Sequence, residues 1–179
     1  MSLSRLISSR CLKGRLAAAL VAPALLGATD LTVNLDARLL AAHNRERTAS
    51  GLPPLDWNPA LAASATRWAD RLAATGAFHH YSPDPRDRDP QGENLWAGTR
   101  GAFAPEAMVA AWAAEKRHYR PAAIPFASKT GNFDDVGHYT QLMWRRSTAV
   151  GCALARGRVE DVLVCRYSEG GNVVGELAF

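Results

Sequence analysis

Cysteine is scarce in this 179-residue chain: there are three, and Cys11 falls within the first 28 residues. A four-cysteine zinc site is therefore excluded from the remainder. No apolar run reaches the roughly 20 residues that a membrane-spanning helix needs. The chain also lacks a Gly-x-Ser-x-Gly elbow, a Walker A loop, a His-Glu-x-x-His helix and a glycine-rich dinucleotide fingerprint, and with them the chemistries those motifs carry. Acidic residues are missing from positions 1–28, where Arg5, Arg10, Lys13 and Arg15 account for the whole net charge of +4. The remaining 17 basic residues are matched by 17 acidic ones. A formally neutral body does not carry the electrostatic footprint of a nucleic-acid binder, so no nucleic-acid partner is expected.

What is present is ordinary globular composition, 47% hydrophobic and 21% charged, at a length suited to one domain. The basic stretch ending at Arg15 is followed by an apolar block, Leu16 to Ala28. That order predicts a signal peptide over 1–28, a mature domain over 29–179 and a secreted or periplasmic location, with no membrane span in the mature chain. A retained hydrophobic helix or an organelle-targeting leader are the alternatives. Loss of Cys11 with the leader leaves Cys152 and Cys165, an even pair that predicts a disulfide in an exported domain, against two buried free thiols.

Periodicity predicts a helix over Asp36–Ala49, with Asp36 as N-cap and Leu39, Leu40 and His43 at close helical spacing. Pro53 and Pro54 impose an extended stretch. Asn58-Pro59 restarts a helix with Leu61, Ala65, Trp68 and Leu72 on one stripe, closed by Gly76. Residues 79–93, rich in proline and aspartate, predict a loop. A third helix is expected from about Pro105 to Tyr119, with Met108, Ala111, Trp112 and Glu115 near one face. Two strands, Ala149–Ala155 and Val162–Tyr167, flank an Arg156-Gly157-Arg158 turn, and a third strand is expected over Asn172–Leu177. Helices first and strands after predict an α+β fold.

The candidates for chemistry are the five histidines, His43, His79, His80, His118 and His138, with Glu93 and Glu115. Two imidazoles and two carboxylates can hold a divalent cation or move a proton. They can equally be hydrogen-bonded structural residues.

Six blocks then appear in order. They are His43-Asn44-x-x-Arg47 with Gly51 to Trp57; Trp68-Ala69 to Gly76-x-Phe78-x-His80; Gly92-Glu93-Asn94-Leu95-Trp96; Trp112-x-x-Glu115 with Tyr119; Gly137-His138-Tyr139-Thr140-Gln141 with Trp144; and Val150-Gly151-Cys152-Ala153 with Cys165-x-Tyr167 and Gly171-Asn172. In these the chain resembles the CAP (SCP) domain of cysteine-rich secretory proteins, antigen 5 and plant pathogenesis-related proteins, in a microbial form with few cysteines. The resemblance implies a three-layer α-β-α sandwich around a central antiparallel sheet. It also implies a cleft lined by His80, Glu93, Glu115 and His138 that in some members holds zinc or another divalent cation. Counting from Gly76 selects His80 for the first of these; counting back from Ser82-Pro83 selects Tyr81.

The expected function is a binding or interaction module, with a lipid, sterol or other cell-envelope ligand implied by the resemblance. The alternative is a metal-dependent, peptidase-like hydrolase with Glu93 or Glu115 as general base. A purely structural surface protein is the third reading.

Overall fold

A computed structural model describes residues 32–81 and 91–179. The leader assigned to 1–28 and residues 82–90 of the proline-rich loop lie outside the described residues.

The chain forms helix α1 (Leu35–Ala49), strand β1 (Asp56–Trp57), helix α2 (Pro59–Thr75), strand β2 (Gly92–Thr99), helix α3 (Pro105–Ala113), helix α4 (Gly137–Leu142) and strands β3 (Ala149–Arg156) and β4 (Glu160–Ser168). The strands lie in the order β1-β3-β4-β2. β3 and β4 form the expected antiparallel hairpin, and β2 runs antiparallel along the other side of β4. β1 pairs parallel with β3. The sheet is thus mixed rather than purely antiparallel. The extended run through Pro53 and Pro54 brings β1 alongside β3 in the same direction for two residues, with Asp56 N–H on Thr148 O and Asn58 N–H on Val150 O.

Helices cover both faces, and strand alternation sorts the side chains between them. Val162 and Val164 of β4 point to α2, where they meet Ala65, Ala69 and Leu72. Leu163, Cys165 and Tyr167 point to the other layer, where they meet Leu39, Met108, Trp112 and Leu142 from α1, α3 and α4. Gly151 permits the α2 layer to close on the sheet, because a β-carbon there would lie 2.2 Å from Ala62 N and 2.5 Å from Asn58 O. Asn58 caps α2 as expected, accepting from Ala60 N and Leu61 N, and Gly76 ends it at φ 70°.

Several local expectations change. The cap position of α1 is Asn34, not Asp36, and no side chain bonds there. α3 buries Met108, Val109, Trp112 and Ala113, and Ala111 is exposed. After Ala113 the helix tightens to a 3-10 turn, Ala114–Arg117. Residues 172–177 form no strand. Asn172 sits at φ 60°, and its side chain accepts from Thr140 Oγ1 and donates to Gly137 O, which holds the segment as a strap over α4.

Cys152 and Cys165 are direct partners across β3 and β4, with Cα atoms 4.1 Å apart, and they form a disulfide. Both are buried among the α1 and α3 side chains. The bond closes a loop of 12 intervening residues, for which the chain-entropy account gives about 3 kcal/mol. Reduction is expected to lower the melting temperature by roughly 6–12 °C and leave a folded protein. Calorimetry of reduced and oxidised samples checks this; coincident transitions would mean that the bond adds nothing.

Candidate functional site

Glu93 is the second residue of β2, directly opposite Arg166 of β4. Both side chains are almost fully buried, and the guanidinium Nη2 lies 2.8 Å from Glu93 Oε2. The other carboxylate oxygen accepts from His80 Nδ1 at 2.7 Å and from the Tyr81 backbone N–H at 3.0 Å. The histidine chosen by counting from Gly76 is thus the one on the carboxylate. Tyr81 contributes its backbone there, while its ring lies under the Arg166 guanidinium at 4.8 Å and edge-on to Trp68 at 5.3 Å. His79 instead packs against Trp68. The bond to Glu93 holds the His80 imidazole above its usual pKa, with partial burial and Arg166 opposing.

Glu115 stands in the 3-10 turn after α3. One of its oxygens accepts from His138 Nδ1 at 2.6 Å. The other accepts from the backbone N–H groups of His138 and Tyr139, both at 3.0 Å. Glu115 therefore satisfies the orphan donors at the start of α4 and orients its second residue in one contact. The Trp112 ring lies nearly parallel to the His138 ring, 6.2 Å away, and Trp112 Nε1–H is anchored on Leu95 O of β2.

The four residues thus form two dyads, His80–Glu93 and Glu115–His138. Asn94 links them: it follows Glu93 on β2, and its side chain donates to His138 O at 3.0 Å. β2 is an edge strand, and the dyads flank its first residues. Among the described residues, the four do not bring three ligand atoms within 4.8 Å of one another. The one triad that does is His43, Cys152 and Cys165. Both sulfurs there are spent in the disulfide, so that triad is no cation site.

Ionised carboxylates only accept hydrogen bonds, so in the neutral form each imidazole carries its proton on Nδ1 and leaves the Nε2 lone pair free. That is the tautomer in which a carboxylate-oriented histidine ligates a metal. Two such nitrogens suit zinc, with further positions open to water or ligand.

Residues outside the four also build the site. Arg166 fixes Glu93. Gln141 of α4 is clasped between Gly92 and Gly171, where a β-carbon would lie 2.3 and 2.9 Å from its Oε1. Arg166 is the unspecified position in Cys165-x-Tyr167, and its only sequence signal is a charge inside an apolar strand.

His43, in the first block, lies in the core. It donates Nδ1–H to Leu39 O at 2.8 Å, and its Nε2 accepts from Tyr167 OH at 2.9 Å. Burial pushes its pKa down to about 4, the Leu39 bond opposing and Arg47 adding to the effect. A lowered histidine pKa means that the unfolded chain binds the proton first. Stability is full above pH ~6.5 and falls as pH drops towards 4, by up to about 3 kcal/mol. Denaturant midpoints between pH 7 and 4 should show this slope, and His43→Gln should flatten it; an equal slope in both would assign it elsewhere.

Known proteins share the sequence pattern and the fold. A family model described as cysteine-rich secretory protein family, CAP, matches residues 40–167. Pathogenesis-related protein 1 of Arabidopsis thaliana is 34% identical over 138 residues, covering 76% of this chain and 78% of the relative. Venom allergen 3 of Solenopsis invicta is 31% identical over 159 residues, covering 74% and 66%. The solved structure of NaASP2 with Zn2+ shares the fold, with a TM-score of 0.67 at 20% identity, covering 80% of this chain and 84% of that one.

Proposed function

The chain belongs to the cysteine-rich secretory protein (CAP) family, and from that premise we propose that it is a secreted or periplasmic binding module whose cleft takes a divalent cation, zinc foremost, on His80 and His138. The 1–28 leader supplies the export signal in this reading, and 29–179 is the working domain. Among the described residues, no helix is long and apolar enough to cross a membrane.

The carrying observation is that both histidines present Nδ1 to a buried or half-buried glutamate. Glu93 and Glu115 orient the imidazoles and offset the cation's charge. The same observation favours binding over hydrolysis. Glu93 is held by His80, Tyr81 N–H and Arg166, and Glu115 by three N–H groups. A general base needs a carboxylate free to take a proton from water; both Glu115 oxygens are hydrogen-bonded, and the Glu93 oxygen without a hydrogen bond is ion-paired with Arg166. A bound cation would supply Lewis acidity and an anchoring point for a ligand oxygen. The ligand classes are those the family resemblance implies, a lipid, a sterol or another cell-envelope molecule. NaASP2 was solved with Zn2+, which agrees with a cation-capable member of this fold.

Purified protein, with and without zinc, assayed on peptide, ester and cell-wall substrates tests the reading. Zinc binding without turnover is expected. Zinc-dependent turnover that Glu93→Gln or Glu115→Gln abolishes would overturn it in favour of the hydrolase. Because a ligating imidazole must be neutral and Glu93 raises the His80 pKa, zinc affinity should begin to fall above pH ~6.5 as the solution is acidified.

A further inference from the structure

A groove of about 620 Å³ runs between α2 and the Gly92 end of β2, with His80 and Glu93 at its side. This is the size of a small-molecule site. Among the described residues its charge is mainly positive. Arg67 and Arg71 line it from α2, and the nearly buried Arg166 of β4 forms its floor. Arg67 and Arg71 are four residues apart on one helical face, an arrangement that costs stability through like-charge repulsion. Among the described residues, neither is in an ion pair. Asp70 of the same helix lines a different pocket, beside Arg156 and Arg158. Among the described residues, the only carboxylate in the groove is Glu93, with one oxygen hydrogen-bonded to His80 and Tyr81 N–H and the other ion-paired with Arg166.

Among the described residues, the floor has more donors than acceptors: Glu93 Oε2, the one acceptor there without a hydrogen-bond partner, faces Arg166 Nη2 at 2.8 Å. Arg166 Nε and Gln141 Nε2 are buried without a hydrogen-bond partner. The Gln141 amide is held in that sense, because its oxygen accepts from Gly171 N–H at 2.8 Å. Buried donors are paired in the great majority of native sites, and a donor-rich floor under two arginines calls for a ligand that brings acceptors. Trp68 and Tyr81 add an aromatic wall, each with a guanidinium over its face, from Arg71 at 5.8 Å and Arg166 at 4.8 Å.

We propose that this groove is an oxyanion subsite: Arg67 and Arg71, over the Arg166 floor, take the carboxylate or phosphate group of an organic ligand whose body lies against Trp68 and Tyr81. The proposal rests on the reading of the chain as a binding module. It does not rest on the cation, because the arginines stand in the groove whether or not His80 carries a metal. It narrows the cell-envelope ligands to those with an acidic group.

The test uses protein stripped of metal with a chelator, so that failure here leaves the zinc reading untouched. Phenyl phosphate, benzoate and uncharged phenol are titrated in turn while the Trp68 indole N–H is followed by NMR. At least one anion should bind, about tenfold or more tighter than phenol, and should weaken with added salt. Whether phenyl phosphate or benzoate binds better identifies the oxyanion. Arg67→Ala with Arg71→Ala, both exposed helix positions, should weaken anion binding by about tenfold or more. Arg45→Ala on α1, in the opposite helical layer, should leave it unchanged. Phenol binding as well as the anions, undiminished anion binding in the double variant, or no binding of either anion at roughly 20 mM would each overturn the proposal.

Discussion

His80→Ala combined with His138→Ala should abolish zinc binding as measured by calorimetry. Each imidazole offers one nitrogen, and the carboxylates beside them already hold N–H or guanidinium groups. Removing both nitrogens leaves only carboxylates, with Glu93 still tied to Tyr81 N–H and Arg166, and Glu115 to the backbone N–H groups of residues 138 and 139. Glu93→Gln and Glu115→Gln should weaken binding by about 10–100-fold, the usual effect of losing a carboxylate that orients a metal-binding histidine. His79→Ala is the internal control. Its ring packs on Trp68, so its loss should change affinity little. Unchanged affinity in the double variant would remove the site, and a large loss in His79→Ala would show that His79 is the ligand.

Arg47→Ala should produce the largest loss of stability in the protein. Arg47 is fully buried on α1. Its guanidinium donates to four carbonyls, Pro53 O at 2.9 Å, Leu142 O at 3.0 Å, Trp144 O at 2.9 Å and Ser147 O at 3.1 Å. These carbonyls come from the extended run before β1 and from the end of α4 with the turn after it. The charge thus sits at the C-terminal end of the helix that carries His138, where a cation meets the partial negative charge of the helix. Removal strands several buried acceptors at once, at about 1–3 kcal/mol each before relaxation, and a net loss of about 4–5 kcal/mol is expected. Arg47→Lys should recover only part, because an ammonium cannot reach four carbonyls in the planar fork of a guanidinium. Urea denaturation measures both variants. A loss below about 1 kcal/mol would mean that water replaces the guanidinium at little cost.

The helices and the hairpin were legible because their signals are local. Asn58-Pro59 and Gly76 bracket α2 by cap chemistry, and the alternation around Arg156-Gly157-Arg158 marks β3 and β4. β2 was not legible. Gly92-Glu93-Asn94 reads as the end of a loop, since glycine, glutamate and asparagine are poor strand formers. It becomes a strand because all eight of its residues pair with β4 and because Glu93 meets Arg166 across the register. α4 is six residues long and too short to announce itself; it is started by a carboxylate from another element, Glu115. The expected strand over 172–177 failed for the complementary reason. Its apolar residues suit a strand, but Asn172 is tied to Thr140 and Gly137 in a left-handed conformation.

The four site residues were named from ordered motifs, and no spacing in the sequence shows how they pair. His80 and Glu93 are joined across 13 positions and Glu115 and His138 across 23, through elements whose approach depends on the whole sheet. The basic groove was invisible for the same reason. Arg67 and Arg71 lie on α2, and only the fold brings Arg166 and Gln141 to line the same groove.

The most direct measurement is anomalous scattering from a zinc-soaked crystal of this protein. One strong peak is expected in the cleft, about 2.0–2.1 Å from Nε2 of His80 and of His138, with Glu93 and Glu115 still on the Nδ1 atoms. A peak bound to His79 or His118 instead, or no peak in the cleft at a saturating soak, would contradict the cation site on His80 and His138.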